Sequence, residues 1–124
     1  LAEQGRLAPV DMENGTFTIS NAGRFGSLFF VPIINQPQSG ILGVGTISKR
    51  PIVVDDKIEI RPMVYICVSY DHRIIPGAIA QQFLVKVKEG IEPAFAETKS
   101  NLLFETAKAQ MKAVYPGNKR LYLA

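Results

Sequence analysis

The stretch SYDHRIIPG, at residues 69–77, separates the two sequence patterns that decide the fold. Residues 63–70, which run into it, alternate between two largely apolar faces, and this predicts a strand covered on both sides. The residues after it predict a helix, because apolar residues recur there at helical spacing: Ile79, Ala80, Phe83, Leu84 and Val87. Pro76 suits the first helical position, where its missing N–H costs nothing, and Gly90 is expected to end the helix.

The region before this unit favours short strands joined by loops. Residues 16–20 and 40–48 favour strands, and the glycines of the second are typical of a close backbone approach. Residues 29–37 are apolar but hold two prolines, so they are expected to form an extended connection. Asp55-Asp56 lies between two further strand patterns and predicts a hairpin.

The region after Pro93 predicts a second helix, over about residues 94–115. Its apolar face would be formed by Leu103, Ala107, Met111 and Val114. Residues 1–7 are expected to be the last turns of another helix. The second helix would be a surface helix followed by a tail, with a partner-binding helix as the alternative.

The composition bounds the possible function classes. The chain has 124 residues, 47% of them hydrophobic and 20% charged, which is typical of one globular domain. Its net charge of +3 is scattered, so we expect no nucleic-acid partner. The apolar stretches are too short to cross a bilayer, so no membrane partner is expected. One cysteine and one histidine cannot supply a soft-ligand metal cage, so no metal site is expected.

His72, the single histidine, is the best candidate for chemistry. It follows a strand and precedes a helix, which is a rigid place from which to project a side chain. A histidine side chain suits general-base chemistry near neutral pH, although a structural hydrogen-bonding role is the alternative. Because no Gly-x-Ser-x-Gly elbow is present, the base would act on a substrate thiol or hydroxyl. Ser20, at a strand end, is either the hydroxyl donor to an oxyanion or an ordinary strand-end serine.

Two neighbours of His72 and one cysteine are expected to be structural. Asp71 and Arg73 alternate with His72 along the chain, so they point away from it and are expected to pair with each other. Cys67 lies within the predicted buried strand and is expected to be an inert core thiol.

Two segments resemble the catalytic domain of dihydrolipoamide acyltransferases, the E2 cores of the 2-oxoacid dehydrogenase complexes. The first is GTFTISNAG at residues 15–23, which runs on through FGSL at 25–28, PIINQPQ at 32–38 and ILG at 41–43. The second is SYDHRII at 69–75, followed by Gly77. Their order and separation match the family over about residues 6–92. FGSL and PIIN are most similar to the succinyl-transferring branch that serves 2-oxoglutarate dehydrogenase.

The resemblance implies an α/β fold, a two-layer sandwich with a mixed sheet like that of chloramphenicol acetyltransferase. The implied reaction moves an acyl group, succinyl in the matching branch, between the lipoamide thiol and coenzyme A. His72 would be the general base and Ser20 would hydrogen-bond the tetrahedral oxyanion, the two coming from neighbouring chains of a trimer. The implied partners are other copies of the chain and the E1 and E3 components. The implied compartment is the bacterial cytoplasm or the mitochondrial matrix.

Pro76 departs from the family pattern His-x-x-x-Asp-Gly, in which some members have Asn at the acidic position. Proline offers neither a side-chain acceptor nor an N–H, so weakened catalysis is expected. Gly77, which follows it, is expected to be a motif-flanking structural residue, like Asp71 and Arg73.

The resemblance covers about half of the family's catalytic domain, and the chain begins on Leu1. Residues 1–93 are therefore predicted to be the C-terminal part of an acyltransferase catalytic domain, and residues 94–124 a helical extension and tail of unknown role. The lipoamide would be carried on a lipoyl domain, which the sequence does not contain.

Three functions remain open from the sequence. The first is the acyltransferase itself. The second is an E2-like structural or assembly module that has lost turnover. The third is a resistance enzyme of the chloramphenicol acetyltransferase kind, which the FTISN and PIIN segments disfavour.

Overall fold

The computed structural model describes residues 4–6, 8–97 and 121–123, and these form six strands and one long helix. The elements, in chain order, are β1 (Phe17–Asn21), β2 (Gly40–Val44), β3 (Ser48–Val54), β4 (Lys57–Met63), β5 (Ile66–Tyr70), α1 (Gly77–Glu97) and β6 (Leu121–Leu123). The predicted mixed α/β class is confirmed.

Four strands form a mixed sheet in the order β5-β2-β1-β6. β1 runs parallel to both β2 and β6, whereas β2 runs antiparallel to β5. One face of this sheet packs on α1, and the core between them consists of Phe17, Ile19, Leu42, Val44, Phe83, Val87 and Ile91. Ile19, Leu42 and Val87 are fully buried. Burial of one such side chain stabilises the fold by about 2 kcal/mol.

The connection between β1 and β2 covers the opposite face of β5. The Ser69 hydroxyl donates to the Pro32 carbonyl at 2.6 Å, and the Cys67 thiol donates to the Phe30 carbonyl at 2.9 Å. Gly43 lets the connection approach, since a Cβ there would lie 3.2 Å from Pro32 Cδ. The strand is therefore covered on both sides as predicted, although it begins at Ile66 rather than at residue 63.

Cys67 is half-buried rather than sealed in the core. Burial raises the pKa of its thiol, and contact with the Gly43 backbone opposes part of that rise. Because the thiolate is the reactive form, the raised pKa agrees with the expectation of an unreactive cysteine.

β3 and β4 form the predicted antiparallel hairpin, which is a separate two-stranded sheet. Its tip is Asp55-Asp56, and both residues have positive φ, 49° and 59°. Two left-handed residues in succession give the turn whose twist matches that of paired strands, and aspartate tolerates this conformation better than most residues.

α1 is longer than the sequence predicts. It passes through Gly90 and Pro93 to Glu97, so the expectation that Gly90 ends the helix is wrong. Ile91 supplies the physical reason: it is 5% exposed and extends the buried stripe of Phe83 and Val87 by one turn. That burial outweighs the penalty of about 1 kcal/mol for glycine inside a helix.

The beginning of α1 also differs by one residue from the prediction. The helix starts at Gly77, and Pro76 lies just before it. The Pro76 carbonyl accepts hydrogen bonds from the N–H groups of Ile79 at 3.0 Å and Ala80 at 3.2 Å. Pro76 therefore caps the first turn through its backbone.

Two terminal predictions fall largely on residues that are not described. The predicted helix over residues 94–115 coincides with α1 up to Glu97 and otherwise lies outside the described residues. Most of residues 1–7 also lie outside them. The sequence patterns did not predict β6, which pairs in parallel with β1 through Phe17 and Leu121.

Candidate active site

His72 lies on a turn that is tied to the end of the sheet. The Asp71 N–H donates to the Ser39 carbonyl at 2.9 Å, which extends the pairing of β2 with β5 by one step. The Asp71 carbonyl accepts from Ile74 and Ile75 at 3.1 and 2.9 Å, and this reverses the chain before α1. The His72 side chain is exposed on this turn. The backbone below the imidazole is thus fixed while the ring is open to an incoming reactant.

Asp71 and Arg73 form the predicted ion pair on the outer side of this turn. Arg73 Nη2 lies 2.6 Å from Asp71 Oδ2, and Arg73 Nε donates to Oδ1 at 2.9 Å. The Arg73 backbone N–H also donates to Oδ1, at 3.0 Å. The hydrogen bonds from Arg73 lower the pKa of Asp71 to about 2, and the Asp71 carboxylate raises the pKa of Arg73. The carboxylate is thus held by Arg73 through both of its oxygens.

Tyr70 and Gly77 lie close to the His72 ring. The Tyr70 and His72 ring centroids are 5.6 Å apart, with planes inclined at 37°. A Cβ on Gly77 would lie 3.5 Å from Tyr70 Oη and 3.8 Å from His72 Nε2. Tyr70 is a neighbour of His72 that was not predicted from the sequence. Its signal in the sequence is its place at the end of the predicted strand, two residues before His72.

Ser20 lies at the other end of the sheet. In the strand register Ser20 pairs with Gly43 of β2, and Gly43 pairs with Cys67 of β5. His72 lies five residues after Cys67, beyond the end of β5 at Tyr70. At about 3.3 Å per residue, Ser20 and His72 are separated by about 15 Å along the strands, and also by two strand spacings across them. Within one chain they do not meet.

The loop after Ser20 is packed backbone against backbone. Asn21 Oδ1 accepts the Gly23 N–H at 2.8 Å. A Cβ on Gly23 would overlap the Gly45 carbonyl, and a Cβ on Gly45 would overlap the Leu28 carbonyl oxygen. The close approach predicted for the glycines of residues 40–48 is therefore present at Gly45. It makes the support behind Ser20 rigid.

An apolar groove among the described residues lies away from both candidates. It has a volume of about 530 Å³ and runs between the β3–β4 hairpin and α1, where it is lined by Ile52, Val64, Tyr65, Leu84, Val85 and Ile91 among others. Neither His72 nor Ser20 lines it. Within the described ranges, no group of three or more His, Cys, Asp or Glu side chains is placed to hold a metal ion. No described helix is long and apolar enough to cross a membrane.

The family of the chain follows from comparison with known proteins. Residues 1–98 match the family model of the 2-oxoacid dehydrogenases acyltransferase catalytic domain. Since this match covers most of the chain, the chain belongs to that family. The resemblance noted from the sequence motifs is confirmed.

Curated relatives refine the likeness within the family. One relative is the dihydrolipoyllysine-residue succinyltransferase component of the 2-oxoglutarate dehydrogenase complex of Bartonella vinsonii subsp. berkhoffii. The chain is 58% identical to it over 92 residues, and the aligned region covers 74% of this chain and 22% of the relative. The mitochondrial counterpart of Bos taurus is 55% identical over 91 residues, covering 73% of this chain and 20% of the relative. The chain thus spans about a fifth of the length of these relatives.

Solved structures share the fold. A probable dihydrolipoamide acetyltransferase from Listeria monocytogenes matches with a TM-score of 0.71 and 45% identity, over 80% of this chain and 42% of that one. The dihydrolipoamide acetyltransferase of Azotobacter vinelandii matches with a TM-score of 0.64 and 39% identity, over 71% and 36%. The predicted fold, similar to the catalytic cores of E2 acyltransferases, is confirmed.

Proposed function

We propose that this chain contributes the His72-bearing part of a dihydrolipoamide acyltransferase, which moves a succinyl group between the lipoamide thiol and coenzyme A. The observation that carries the proposal is the exposed His72 imidazole on an anchored turn, in a chain of the acyltransferase family. The succinyl group is taken from the succinyltransferase relatives.

The proposed chemistry needs a base and an oxyanion donor and no nucleophile from the protein. His72 Nε2 removes the proton from the coenzyme A thiol, and the thiolate attacks the thioester carbonyl of the acylated lipoamide. The Ser20 hydroxyl donates to the oxygen that becomes negative in the tetrahedral intermediate. When the intermediate collapses, the lipoamide sulfur leaves and takes the proton back from the imidazolium.

Ser20 and His72 serve one reaction only if they come from two copies of the chain. The strand register separates them by about 15 Å within one copy, too far for both to contact one carbonyl group. The proposed site therefore lies at an interface between copies, in a trimer. One matched solved structure is the cubic core of a pyruvate dehydrogenase multienzyme complex, which supports a symmetric assembly.

The Azotobacter vinelandii enzyme supports the choice of residues. Its catalytic mechanism was investigated at a serine, at a histidine 52 positions later and at an asparagine four positions after that. Ser20 and His72 have the same separation in this chain, and Pro76 occupies the third position. Because Pro76 contributes only a backbone carbonyl, which bonds α1, we propose that turnover is slower here than in relatives with a polar side chain there.

The test is succinyl transfer from succinyl-coenzyme A to dihydrolipoamide by the full chain, the reverse of the step above, with His72→Ala and Ser20→Ala variants. We expect a loss of about 10²- to 10⁴-fold in kcat for His72→Ala, since general-base catalysis is worth that much. A mixture of the two inactive variants should regain part of the activity, because some interfaces then carry an intact pair. Equal rates for His72→Ala and the parent chain exclude the proposed role of His72.

A second candidate function is an E2-like assembly module with little or no turnover. Pro76 favours it, and so does the apolar surface around the hairpin, where Val53, Ile58 and Ile60 are each more than 70% exposed. The variant Pro76→Asp separates the two functions. A gain in rate indicates a weakened site, whereas oligomers without activity in either form favour the assembly module.

The remaining proposals concern context. We propose that residues 1–93 are the C-terminal part of the catalytic domain and residues 94–124 an extension of unknown role. The E1 and E3 components and a separate lipoyl domain are the proposed partners. The relatives are bacterial and mitochondrial proteins, so the proposed compartment is the cytoplasm or the mitochondrial matrix accordingly.

A further inference from the structure

The exposed His72 imidazole has an aromatic neighbour on one side and the start of α1 beside Nε2. The neighbour is Tyr70, whose ring centroid lies 5.6 Å from that of His72. At Gly77, Tyr70 Oη and His72 Nε2 both lie within 4 Å of the point that a Cβ would occupy. Residues from a strand, a turn and a helix start therefore border one small space.

Tyr70 is well placed to hold the imidazole. It is the last residue of β5, it is half-buried and its backbone is paired with Gly40. His72 is exposed, and its ring would otherwise rotate freely about χ1 and χ2. A large rigid ring on the sheet restricts that rotation at small entropic cost.

Gly77 leaves the adjacent space empty. Its position as the first residue of α1 does not require glycine, because the left-handed backbone angles that favour glycine are absent there. An alanine methyl would make ordinary contacts of 3.5 and 3.8 Å with the Tyr70 hydroxyl and His72 Nε2. It would thus fit without overlap, but it would occupy the space beside the nitrogen that receives the proton.

We infer that Tyr70 is a positioning residue for His72 and that the space left by the missing side chain of Gly77, beside Nε2, is where the substrate thiol lies when it meets the base. The inference rests on the proposed function of His72 as general base. It changes the expected role of Gly77 from a structural residue beside the motif to a residue that shapes access to the base.

The kinetic test compares Gly77→Ala, Tyr70→Leu and Tyr70→Phe in the full chain, with Ala78→Ser as the matched control at the next, exposed position. Gly77→Ala should lower kcat/KM for the thiol substrate about tenfold or more, because a small misplacement at a reacting centre costs that much. Its thermal midpoint should not fall, since alanine favours the helix. Tyr70→Leu should lower kcat with KM little changed, Tyr70→Phe should restore kcat, and Ala78→Ser should match the parent.

A second measurement does not depend on turnover. His72 is the only histidine, so its ring signals in NMR and its reaction with diethyl pyrocarbonate report on this site alone. Gly77→Ala should slow that reaction severalfold, whereas Ala78→Ser should not. Tyr70→Leu should shift the imidazole ring protons by removing the ring current of the tyrosine.

The outcomes distinguish this inference from the proposed function. Unchanged kinetics and unchanged imidazole reactivity in Gly77→Ala and Tyr70→Leu overturn the inference, even where His72→Ala is inactive. Full activity in His72→Ala overturns the proposed function instead. In a chain without measurable turnover the imidazole reactivity and the NMR shifts alone decide the inference.

Discussion

The two ends of the sheet present their candidate residues in opposite ways. At one end Ser20 stands before a loop whose glycines bring backbone against backbone, and Gly23, Gly45 and Leu28 leave no space for a side chain. At the other end His72 stands on an exposed turn with open space beside it. An oxyanion donor works best when it cannot move, whereas a base must admit a reactant and exchange a proton. Each end has the packing that its proposed role requires.

The largest expected effect comes from adding one methyl group at the Ser20 end. Gly45→Ala would place a Cβ in overlap with a backbone carbonyl oxygen that no side-chain rotation can relieve. We expect a loss of about 3 kcal/mol in the free energy of unfolding, or failure to fold, by urea denaturation. Gly77→Ala is the matched control at the His72 end and should leave the free energy of unfolding unchanged. Equal stability of the two variants would show that the two ends do not differ in packing.

A smaller effect is expected from the buried polar pair behind β1. Thr18 Oγ1 donates to Gln38 Oε1, and both residues are buried. Thr18→Val leaves the Gln38 acceptor without its partner, which should cost about 1–3 kcal/mol by the same denaturation experiment. Thr16→Val, at an exposed position before the strand, is the control and should cost less than about 0.5 kcal/mol. If the two substitutions lower the free energy of unfolding equally, the hydrogen bond between Thr18 and Gln38 does not stabilise the fold.

Cys67 gives a chemical measure of how closed the middle of the sheet is. Because burial raises the pKa of its thiol, the thiolate is scarce near pH 8. Alkylation by iodoacetamide should therefore be about tenfold slower or more in the folded chain than in urea, and the difference should shrink as the pH rises. If the folded chain is alkylated as fast as the unfolded chain, the connection between β1 and β2, which carries Phe30, does not cover β5 closely.

The smallest effect is expected at the turn that carries His72. The folded-state pKa of Asp71, about 2, lies below the ordinary value of 3.8. A depressed carboxyl pKa stabilises the folded state above pH 4, and this contribution disappears as the pH falls from 4 through 2. Because both partners are exposed, Asp71→Asn should barely change the thermal midpoint at pH 7. NMR of the Arg73 Nε–H should show the ion pair opening in acid, and an ion pair intact at pH 1 contradicts the assignment.

Local patterns predicted the local structure well. Alternation of apolar residues located β5, the Asp55-Asp56 pair located the hairpin, and the helical stripe located the beginning of α1 to within one residue. These features depend on neighbours a few positions away, and such neighbours are visible in a sequence. The ion pair of Asp71 with Arg73 is of the same kind.

Features that depend on packing at a distance were missed. α1 continues past Gly90 because Ile91 finds the core, and β6 joins the sheet beside β1 from the far end of the chain. The position of Gly77 beside the tyrosine and the histidine arises from the direction in which α1 leaves the turn. His72 and Ser20 were candidates from their places at strand ends and were given roles by the family motifs, but their separation in one copy follows only from the strand register.

The hydrogen bond from the Asp71 N–H to the Ser39 carbonyl continues the pairing of β2 with β5. The position of His72 along the sheet therefore depends on the register between these two strands. One residue inserted between Ile66 and Asp71 would move the histidine about 3.3 Å along the sheet and turn it to the other face. The same insertion at the Asp55-Asp56 tip would lengthen an exposed loop and leave β5 in place. We therefore expect variation in chain length to be tolerated at the hairpin tip and excluded from β5, whatever residues it adds.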